Sequence, residues 1–551
     1  MPDHQALIWT AATTLTSSTS MKLTYDTLLH IISLSWYAKD AVQLMATCRV
    51  LYREGPKIAL KKTVFISTAE QLASFLKFLR ADDSSRCRYL RHLELGASCS
   101  PQPDVVQELI ETLPLWTGIE YLRLADAEEL LELDPGLTAA FSALTTLRHI
   151  NFSGVKGGAC ELLSALHSPL ISANISFISD VDQKLWDYLD DDEWERYHPA
   201  ILLDNFASTL EELQCVAWYT TQETVIPAEV YPNMRKLSIE LHDFPLWVDA
   251  FIRAFPNLAD LRVNTKYHGG ILGEFNLEAM QESHITNVGQ QLDPVDSCGT
   301  WAHLEHFSGC LVDLYAIGLT SHIHRVTIVD RLDDGPRTDM LATVLRYARP
   351  LHLKLEGITG SMLGDADRGF ISMLHEGSCS NLLNLDVCIH FGEDDQEKDL
   401  RAVIDDLVSA LVGLPLKFLE LKFETYGLDP TPTEPSDFER MVRRQKGLPE
   451  PPTPEPDPLT PAELSLMTLD MDALIARLES IPSLEAAHVV LPSSRYEGDW
   501  KGHERTITKG MSRLAGREQW QSWIPGKNDV DVVCLCFAPR LCFFSLINPG
   551  L

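Results

Sequence analysis

LRHLEL (90–95), IEYLRL (119–124) and LRHINF (147–152) decide the fold of this 551-residue chain. Each stretch repeats one phrase, in which apolar residues stand at the first, fourth and sixth positions. Because successive side chains of a strand point to opposite faces, the last two apolar residues of a phrase lie on the same side. Each phrase therefore predicts a short strand with one buried face.

The phrase recurs at a nearly constant distance. Its central residues Leu93 and Leu122 are 29 residues apart, and Leu237 and Leu261 are 24 apart. A period of about 20–29 residues with this phrase is typical of leucine-rich repeats. The copies lack the regular asparagine of tidier arrays, and HFSGC (306–310) makes a poor strand. Further copies are LEELQC (210–215), MRKLSI (234–239), LADLRV (258–263), IHRVTI (323–328), LLNLDV (382–387) and LKFLEL (416–421).

Amphipathic segments lie between the phrases. PLWVDAFIRAFPNL (245–258) places Trp247, Phe251 and Phe255 four residues apart, on one helical face. A strand and a helix of this size bury their apolar faces only against neighbouring repeats. The predicted fold class is α/β, an irregular leucine-rich-repeat solenoid over residues 67–491; a generic α/β domain is the alternative. Parallel strands are expected at 91–95, 120–124, 235–239, 259–263, 383–387 and 417–421.

Composition marks the segments that flank or interrupt the array. Residues 1–20 carry no Lys or Arg and predict a disordered leader rather than a secretory signal. Residues 180–198 predict an exposed acidic loop or short helix. Residues 430–461 hold ten of the 31 prolines and predict an extended insertion. The apolar tail, 492–551, predicts a C-terminal cap.

A helix start is predicted directly after the insertion. Thr460, Pro461 and Glu463 form a capping-box pattern, and a strand is expected at 483–491. The apolar stripe of the helix is predicted to be Leu464, Met467, Met471, Leu474, Ile475 and Leu478.

The charge limits the partners. With 46 basic and 78 acidic side chains the net charge is −32, which disfavours binding to nucleic acid or to an anionic membrane. No apolar run approaches the roughly 20 residues that span a bilayer. Twelve scattered cysteines predict reduced, buried thiols and a cytoplasmic or nuclear location. The examples in apolar stretches are Cys215, Cys388, Cys534 and Cys536.

Motifs for chemistry are missing from the sequence. It contains no glycine-rich phosphate loop, GxSxG elbow or HExxH pair, so we expect no enzyme, no catalytic residue and no cofactor. An enzyme with a dispersed site is the alternative. Pairs that could hold a metal lack a third ligand at a recognisable spacing, so no metal site is predicted. The groups considered are His322 with His324, His303 with His306, Asp190 to Glu193, and Cys534 with Cys536.

Residues 21–66 differ from the repeats. Leu28, Ile31 and Ile32 share one face of a predicted first helix, and Asp40 is expected to cap a second. Pro56 is expected to open a third helix, which leads into the strand TVFI. A unit this small has little core of its own, so its apolar surface requires a partner or the following domain.

This unit, LTYDTLLHIISLSWYAKDAVQLMATCRVLYREGPKIALKKTVFI (23–66), resembles the F-box. The residues after it (67–95) look like the linking helix and first repeat of fungal F-box proteins with leucine-rich repeats. Thr24, Thr47 and Leu51 stand where the family usually has proline, valine and tryptophan. The positions that match the family motif are Leu23, Leu29, Ile32, Asp40, Cys48 and Arg49.

The resemblance implies an all-α F-box unit that binds a Skp-type adaptor of a cullin-RING ubiquitin ligase, while the repeats choose an unidentified protein substrate. The contact face is expected to centre on Leu29, Ile32 and Leu44. The alternative is a repeat scaffold with a degenerate F-box and no ligase role. The predicted adaptor-binding residues are Leu23, Leu28, Leu29, Ile32, Asp40, Leu44, Cys48 and Arg49.

Overall fold

The computed structural model describes most of the repeat region. The predicted leader, residues 178–196, most of the proline-rich segment and the tail from 509, with Cys534 and Cys536, lie outside the described residues. The described residues are 24–35, 38–99, 101–177, 197–217, 227–240, 246–264, 277–293, 297–330, 332, 335–364, 369–375, 377–425, 428, 441, 443–447, 458–491 and 503–508.

Helices and strands alternate along the described chain. The helices are α1 Tyr25–Leu34, α2 Ala38–Met45, α3 Arg49–Ala59, α4 Ala69–Arg80, α5 Pro103–Thr112, α6 Ala127–Leu131, α7 Pro135–Ser142, α8 Gly157–Ala165, α9 Pro199–Leu202, α10 Asp249–Ala254, α11 Leu277–Leu292, α12 Leu311–Ile317, α13 Gly335–Ala348, α14 Gly360–Gly364, α15 Phe370–His375, α16 Leu400–Leu411, α17 Pro461–Met467 and α18 Met471–Glu479. The strands are β1 Thr63–Ile66, β2 His92–Leu95, β3 Tyr121–Leu124, β4 His149–Val155, β5 Ser172–Phe177, β6 Glu212–Val216, β7 Lys236–Glu240, β8 Asp260–Asn264, β9 His306–Gly309, β10 Arg325–Ile328, β11 His352–Thr359, β12 Asn384–His390, β13 Phe418–Glu424, β14 Ala486–Leu491 and β15 His503–Thr508.

The chain divides into two compact units, and the division passes through β4. Among the described residues, unit 1 comprises those from 24 to 151 and 165–168. Its helices α1–α3 lead directly into β1, and β1, β2 and β3 pair in parallel. Val64, Leu93 and Leu122 are register partners across these strands, and all three are buried. The three predicted N-terminal helices and the strand TVFI are therefore confirmed.

Unit 2 comprises the described residues from 152 to 164 and from 169 to 508. From β5 to β14 every strand pairs in parallel with the next one along the chain, whereas β15 pairs antiparallel with β14. All six predicted strands are present, and Leu237 pairs with Leu261 in a parallel register. The fold is a mixed α/β leucine-rich-repeat solenoid, as the repeat phrase predicts.

The turns before the strands carry side-chain hydrogen bonds between repeats. The Asn257 amide donates to the Pro232 carbonyl at 3.0 Å, and the Asn233 amide donates to the Ser208 carbonyl at 2.7 Å. Both asparagines belong to the Pro-Asn turns that precede β7 and β8. The repeat phrase itself lacks a regular asparagine, but asparagines in the turns before β7 and β8 connect these consecutive repeats.

Several local predictions were wrong. HFSG forms strand β9, although it is a poor strand phrase. Pro56 lies inside α3 and does not open a helix, because α3 already begins at Arg49. Trp247 precedes α10, so it does not share a helical face with Phe251. Within the proline-rich segment, residues 441 and 443–445 are helical.

The helix start after that segment is confirmed. The Thr460 hydroxyl accepts a hydrogen bond from the Glu463 amide at 3.3 Å, and the Glu463 carboxylate accepts one from the Thr460 amide at 2.8 Å. The predicted stripe was wrong in its first turns, because Leu464 and Met467 are exposed. The chain forms two short helices there, α17 and α18, and strand β14 follows as predicted.

We predict that Gly309→Ala destabilises the repeat array. A Cβ atom at Gly309 would lie 1.9 Å from the Val263 carbonyl oxygen of the neighbouring strand, so β8 and β9 would have to separate. The expected loss is about 3 kcal/mol in the free energy of unfolding, measured by chemical denaturation. Gly289→Ala is the control, because a Cβ there meets nothing within 4 Å in the middle of α11. This control should gain up to about 1 kcal/mol, and equal effects of both changes would contradict the close contact.

Candidate functional site

Two parts of the chain carry candidate functional residues. The first is the F-box-like unit, formed by α1, α2 and α3. Its core contains Ile32, Ala41, Met45, Leu51 and Ala59, all buried. Partly buried apolar side chains surround this core, namely Leu28, Leu29, Val42, Leu44, Cys48, Ile58 and Phe78. Phe78 comes from α4, so the unit packs against the helix of the first repeat.

Two basic residues strengthen this packing. The Lys62 ammonium donates to the carbonyls of Ile32 and Ser35, at 3.2 and 2.8 Å, and so satisfies the C-terminal end of α1. The buried Arg86 guanidinium lies 4.4 Å above the Tyr52 ring and 4.5 Å from the centre of the Phe78 ring. This cation–π sandwich joins α3 to α4.

The predicted adaptor-binding residues occupy different environments. Leu28, Leu29, Leu44 and Cys48 are half-buried at the edge of the core, whereas Asp40 and Arg49 are exposed. Leu23 lies outside the described residues. Ile32, which was placed at the centre of the contact face, is 0% exposed. Ile32 therefore supports the unit from within.

The exposed apolar side chains of α1 are the neighbours of these residues. Ile31 is 37% exposed and Leu34 is 63% exposed, and residues three apart lie on one side of a helix. Sequence reasoning named Ile31 as part of the helix face but did not choose it as a contact. A 3.6-residue period alone does not say which of two adjacent isoleucines points inward.

The departures from the F-box pattern fit the helical unit. The Thr24 hydroxyl accepts a hydrogen bond from the Thr27 amide at 3.3 Å and caps α1. The Thr47 hydroxyl donates to the Leu44 carbonyl at 2.7 Å, where α2 ends. Leu51 is fully buried in the core. Each replacement therefore has a local partner or a packed position.

The second part is the solvent-facing side of strands β11 to β14. We define the ionisable patch as nine ionisable side chains that point away from the apolar core on these strands; one of them, Glu420, is itself buried. The residues of the patch are Lys354, Glu356, Asp386, Cys388, His390, Glu420, Lys422, Glu424 and His488.

One row of the patch crosses four strands. Lys354, Asp386, Glu420 and His488 are register partners from β11 to β14. Burial raises the pKa of Glu420, but the His488 ring, with Nδ1 at 3.5 Å, and the Lys422 ammonium, at 2.7 Å, more than offset this and hold it at about 2. Burial and the neighbouring Glu420 charge raise the pKa of Asp386 to about 6. The row therefore places a permanently charged carboxylate beside one that titrates near neutral pH.

A second group lies at the carboxyl ends of β12 and β13. The sulfur of Cys388, a ring nitrogen of His390 and a carboxylate oxygen of Glu424 lie within 4.8 Å of one another. We predicted no metal site because the candidate pairs had no third ligand at a recognisable spacing in the sequence. The third member of this cluster, Glu424, comes from the neighbouring strand. Cys388 is half-buried on the polar face, so the prediction of a buried thiol was wrong for it, whereas Cys215 is buried as predicted.

The two histidines singled out earlier do not form such a cluster. His322 and His324 precede β10, and their ring centres are 4.7 Å apart in an edge-to-face arrangement. Burial and the neighbouring His324 lower the pKa of His322. His306 of the second pair contacts Asp260 instead, with its Nδ1 3.2 Å from a carboxylate oxygen.

Comparison with known proteins gives little further information. No protein-family profile matches the chain, and no curated protein matches it. Among solved structures, a chain from the crystal structure of the mouse RP105/MD-1 complex is similar at 11% identity, over 68% of this chain and 74% of that chain. The TM-score is 0.25, too low to support any argument about fold or function. None of the described helices is long and apolar enough to cross a membrane.

We predict that Ile32→Ala and Ile31→Ala differ strongly. Ile32→Ala removes a fully buried side chain and should cost about 2–5 kcal/mol in the stability of α1–α3. Ile31→Ala changes an exposed position and should stay within about 0.5 kcal/mol. Hydrogen exchange of the amides of residues 25–59 measures the local stability. Equal protection in both variants would mean that α1 presents a different face to the core.

We also predict that Asp386→Asn stabilises the protein at neutral pH. The folded state holds the Asp386 proton more tightly than the unfolded chain, so wild type loses stability as the pH rises from about 4 to 6. Asparagine avoids this loss, with a gain of about 1–2 kcal/mol at pH 7 that disappears below pH 4. Chemical denaturation at pH 4 and pH 7 measures it. Asp406→Asn, at an exposed position of α16, should have little effect at either pH; a pH-independent gain at Asp386 would refute the electrostatic origin.

Proposed function

We propose that the chain is a non-catalytic, substrate-recruiting F-box protein. In this proposal α1–α3 bind a Skp-type adaptor of a cullin-RING ubiquitin ligase, and the repeat sheet recognises a protein substrate. The observation that carries it is the exposed apolar pair Ile31 and Leu34 on the first helix of a three-helix unit that resembles the F-box. Large apolar groups exposed on so small a unit are typical of a protein contact.

The packing of unit 1 supports this division of roles. The Arg86 sandwich and Phe78 fix the F-box-like helices on the first repeat, so a partner bound to α1 is held by an ordered surface. Leu28 and Leu29 border the exposed pair and extend the apolar area. Asp40 and Arg49 lie exposed near the starts of α2 and α3, where they can contribute polar contacts at the rim.

The solvent-facing side of the repeat sheet supports a role in recognition. The ionisable patch presents ionisable side chains on paired strands, at positions that alternate with the apolar core residues. Charge on such a surface contributes to specificity and to the association rate. With a net charge of −32, a basic or neutral protein segment is the favoured substrate.

The second candidate is a repeat scaffold without an adaptor. Thr24, Thr47 and Leu51 favour it, because they depart from the F-box pattern while still fitting the helical unit. Contacts within the unit therefore account for these three residues without an adaptor. In this alternative the exposed pair on α1 contacts another protein, and the substrate face is unchanged.

We predict that Ile31→Asp combined with Leu34→Asp abolishes co-purification of a Skp-type adaptor with the full chain. Two charges in a dry contact cost several kcal/mol, which corresponds to a loss of more than a hundredfold in affinity. The matched control is Ile285→Asp with Leu292→Asp on α11, where the side chains are 69% and 60% exposed. The control should bind the adaptor as wild type does.

The outcomes separate the candidates. Unchanged thermal unfolding in both double variants shows that the repeats remain folded. If the wild-type chain binds no Skp-type adaptor, the scaffold function replaces the ligase function. If the α1 variant binds as tightly as wild type, the contact lies on another face of the unit.

A further inference from the structure

The cluster at the carboxyl ends of β12 and β13 has the composition of a metal site. Cys388 and His390 are two residues apart on β12, so they share the solvent-facing side. Glu424 is the register partner of His390 on β13. The ligand atoms lie within 4.8 Å of one another, and all three residues are half-buried. The pairing of β12 with β13 thus brings the Cys388 sulfur, a His390 nitrogen and a Glu424 oxygen close together, and all three residues lie on strands.

The ring of His390 is oriented as a metal ligand is. Its Nε2 lies 3.0 Å from the Glu356 carbonyl oxygen, which can only accept a hydrogen bond, so Nε2 carries a proton. Nδ1 lies 2.9 Å from a Glu424 oxygen, which is the distance of a hydrogen bond donated by the ring to the carboxylate. A metal ion bound between these two atoms would take the place of the Nδ1 proton. A metal-bound histidine typically donates its other N–H to a backbone carbonyl, as His390 does to Glu356.

Cys388 completes the ligand set. Its sulfur lies within 4.8 Å of the ligand atoms of His390 and Glu424. A divalent cation displaces the thiol proton when it binds, because the ligand is the thiolate. Bound thiolate and carboxylate would then balance the two charges of the ion, while the imidazole is neutral.

The donor set selects the type of metal. Mg²⁺ and Ca²⁺ take oxygen ligands, whereas mixed sulfur, imidazole and carboxylate ligands suit Zn²⁺. Three protein ligands leave one tetrahedral position vacant, as in zinc sites that accept a water or a partner group. The free position opens on the solvent-facing side of the sheet, among the other residues of the ionisable patch.

We propose that Cys388, His390 and Glu424 bind Zn²⁺ on the solvent-facing side of β12 and β13, with a fourth coordination position open to water. The site does not depend on the F-box function, because it lies wholly within unit 2. A bound ion would join the ends of two neighbouring repeats.

Cobalt titration of the chelator-treated full chain tests the proposal, because Co²⁺ reports a thiolate ligand by charge-transfer absorption in the near ultraviolet. All proteins carry Cys534→Ser and Cys536→Ser, so that this CxC pair does not contribute. We expect one equivalent of Co²⁺ to produce the band and Zn²⁺ to abolish it. Cys388→Ser should eliminate the band, while Cys310→Ser, a half-buried thiol at the end of β9, should keep it.

Two further variants exclude a purely structural effect. His390→Gln and Glu424→Gln should each weaken Zn²⁺ binding at least tenfold, measured by competition with a chromophoric chelator. Zn²⁺ should raise the melting temperature of the parent protein and not that of these variants. Binding of the same number of equivalents, with the same affinity, by the parent and by Cys388→Ser would overturn the proposal.

Discussion

The in-register stacking of one apolar residue per repeat is the constraint on which the rest of unit 2 depends. From β6 to β13 the register partners run without a break, and every member of the row is buried. No single repeat buries this residue alone, so the strands must stay parallel and aligned. A slip of one residue would turn the whole row to solvent. The row consists of Leu213, Leu237, Leu261, Phe307, Val326, Leu353, Leu385 and Leu419.

The same register creates the surface that can recognise a partner. Once alternate positions are committed to the core, the remaining ones face solvent in rows that cross the strands. The charge and the binding properties of this surface therefore depend on which polar residues the register places side by side. Asp386 meets Glu420, and His390 meets Glu424, although each pair is 34 residues apart in the chain. The alternate half of each strand is less restricted by the packing of the apolar core.

The sequence predicted the features that depend on local periodicity. The strand phrases, the capping box at Thr460 and the helices of the F-box-like unit all follow from patterns within a few residues. The sequence did not predict the features that depend on contacts with neighbouring strands and helices. HFSG is a strand because β8 and β10 hold it in register, and Gly309 is needed there by the approach of the Val263 carbonyl. Pro56 is tolerated inside α3 because the helix packs it into the interior, where tertiary contacts outweigh propensity. The Cys388 cluster has no local motif, since its ligands meet only through strand pairing.

The charges of the ionisable patch connect these points. Its four carboxylates outnumber its two lysines. Burial raises the pKa of Asp386, and the adjacent Glu420 carboxylate raises it further. A cation bound at this surface would offset its excess of carboxylates. The cation can be a metal ion held by Cys388, His390 and Glu424, or a basic side chain of a protein partner. Either one would relieve the repulsion that the register of the repeats imposes.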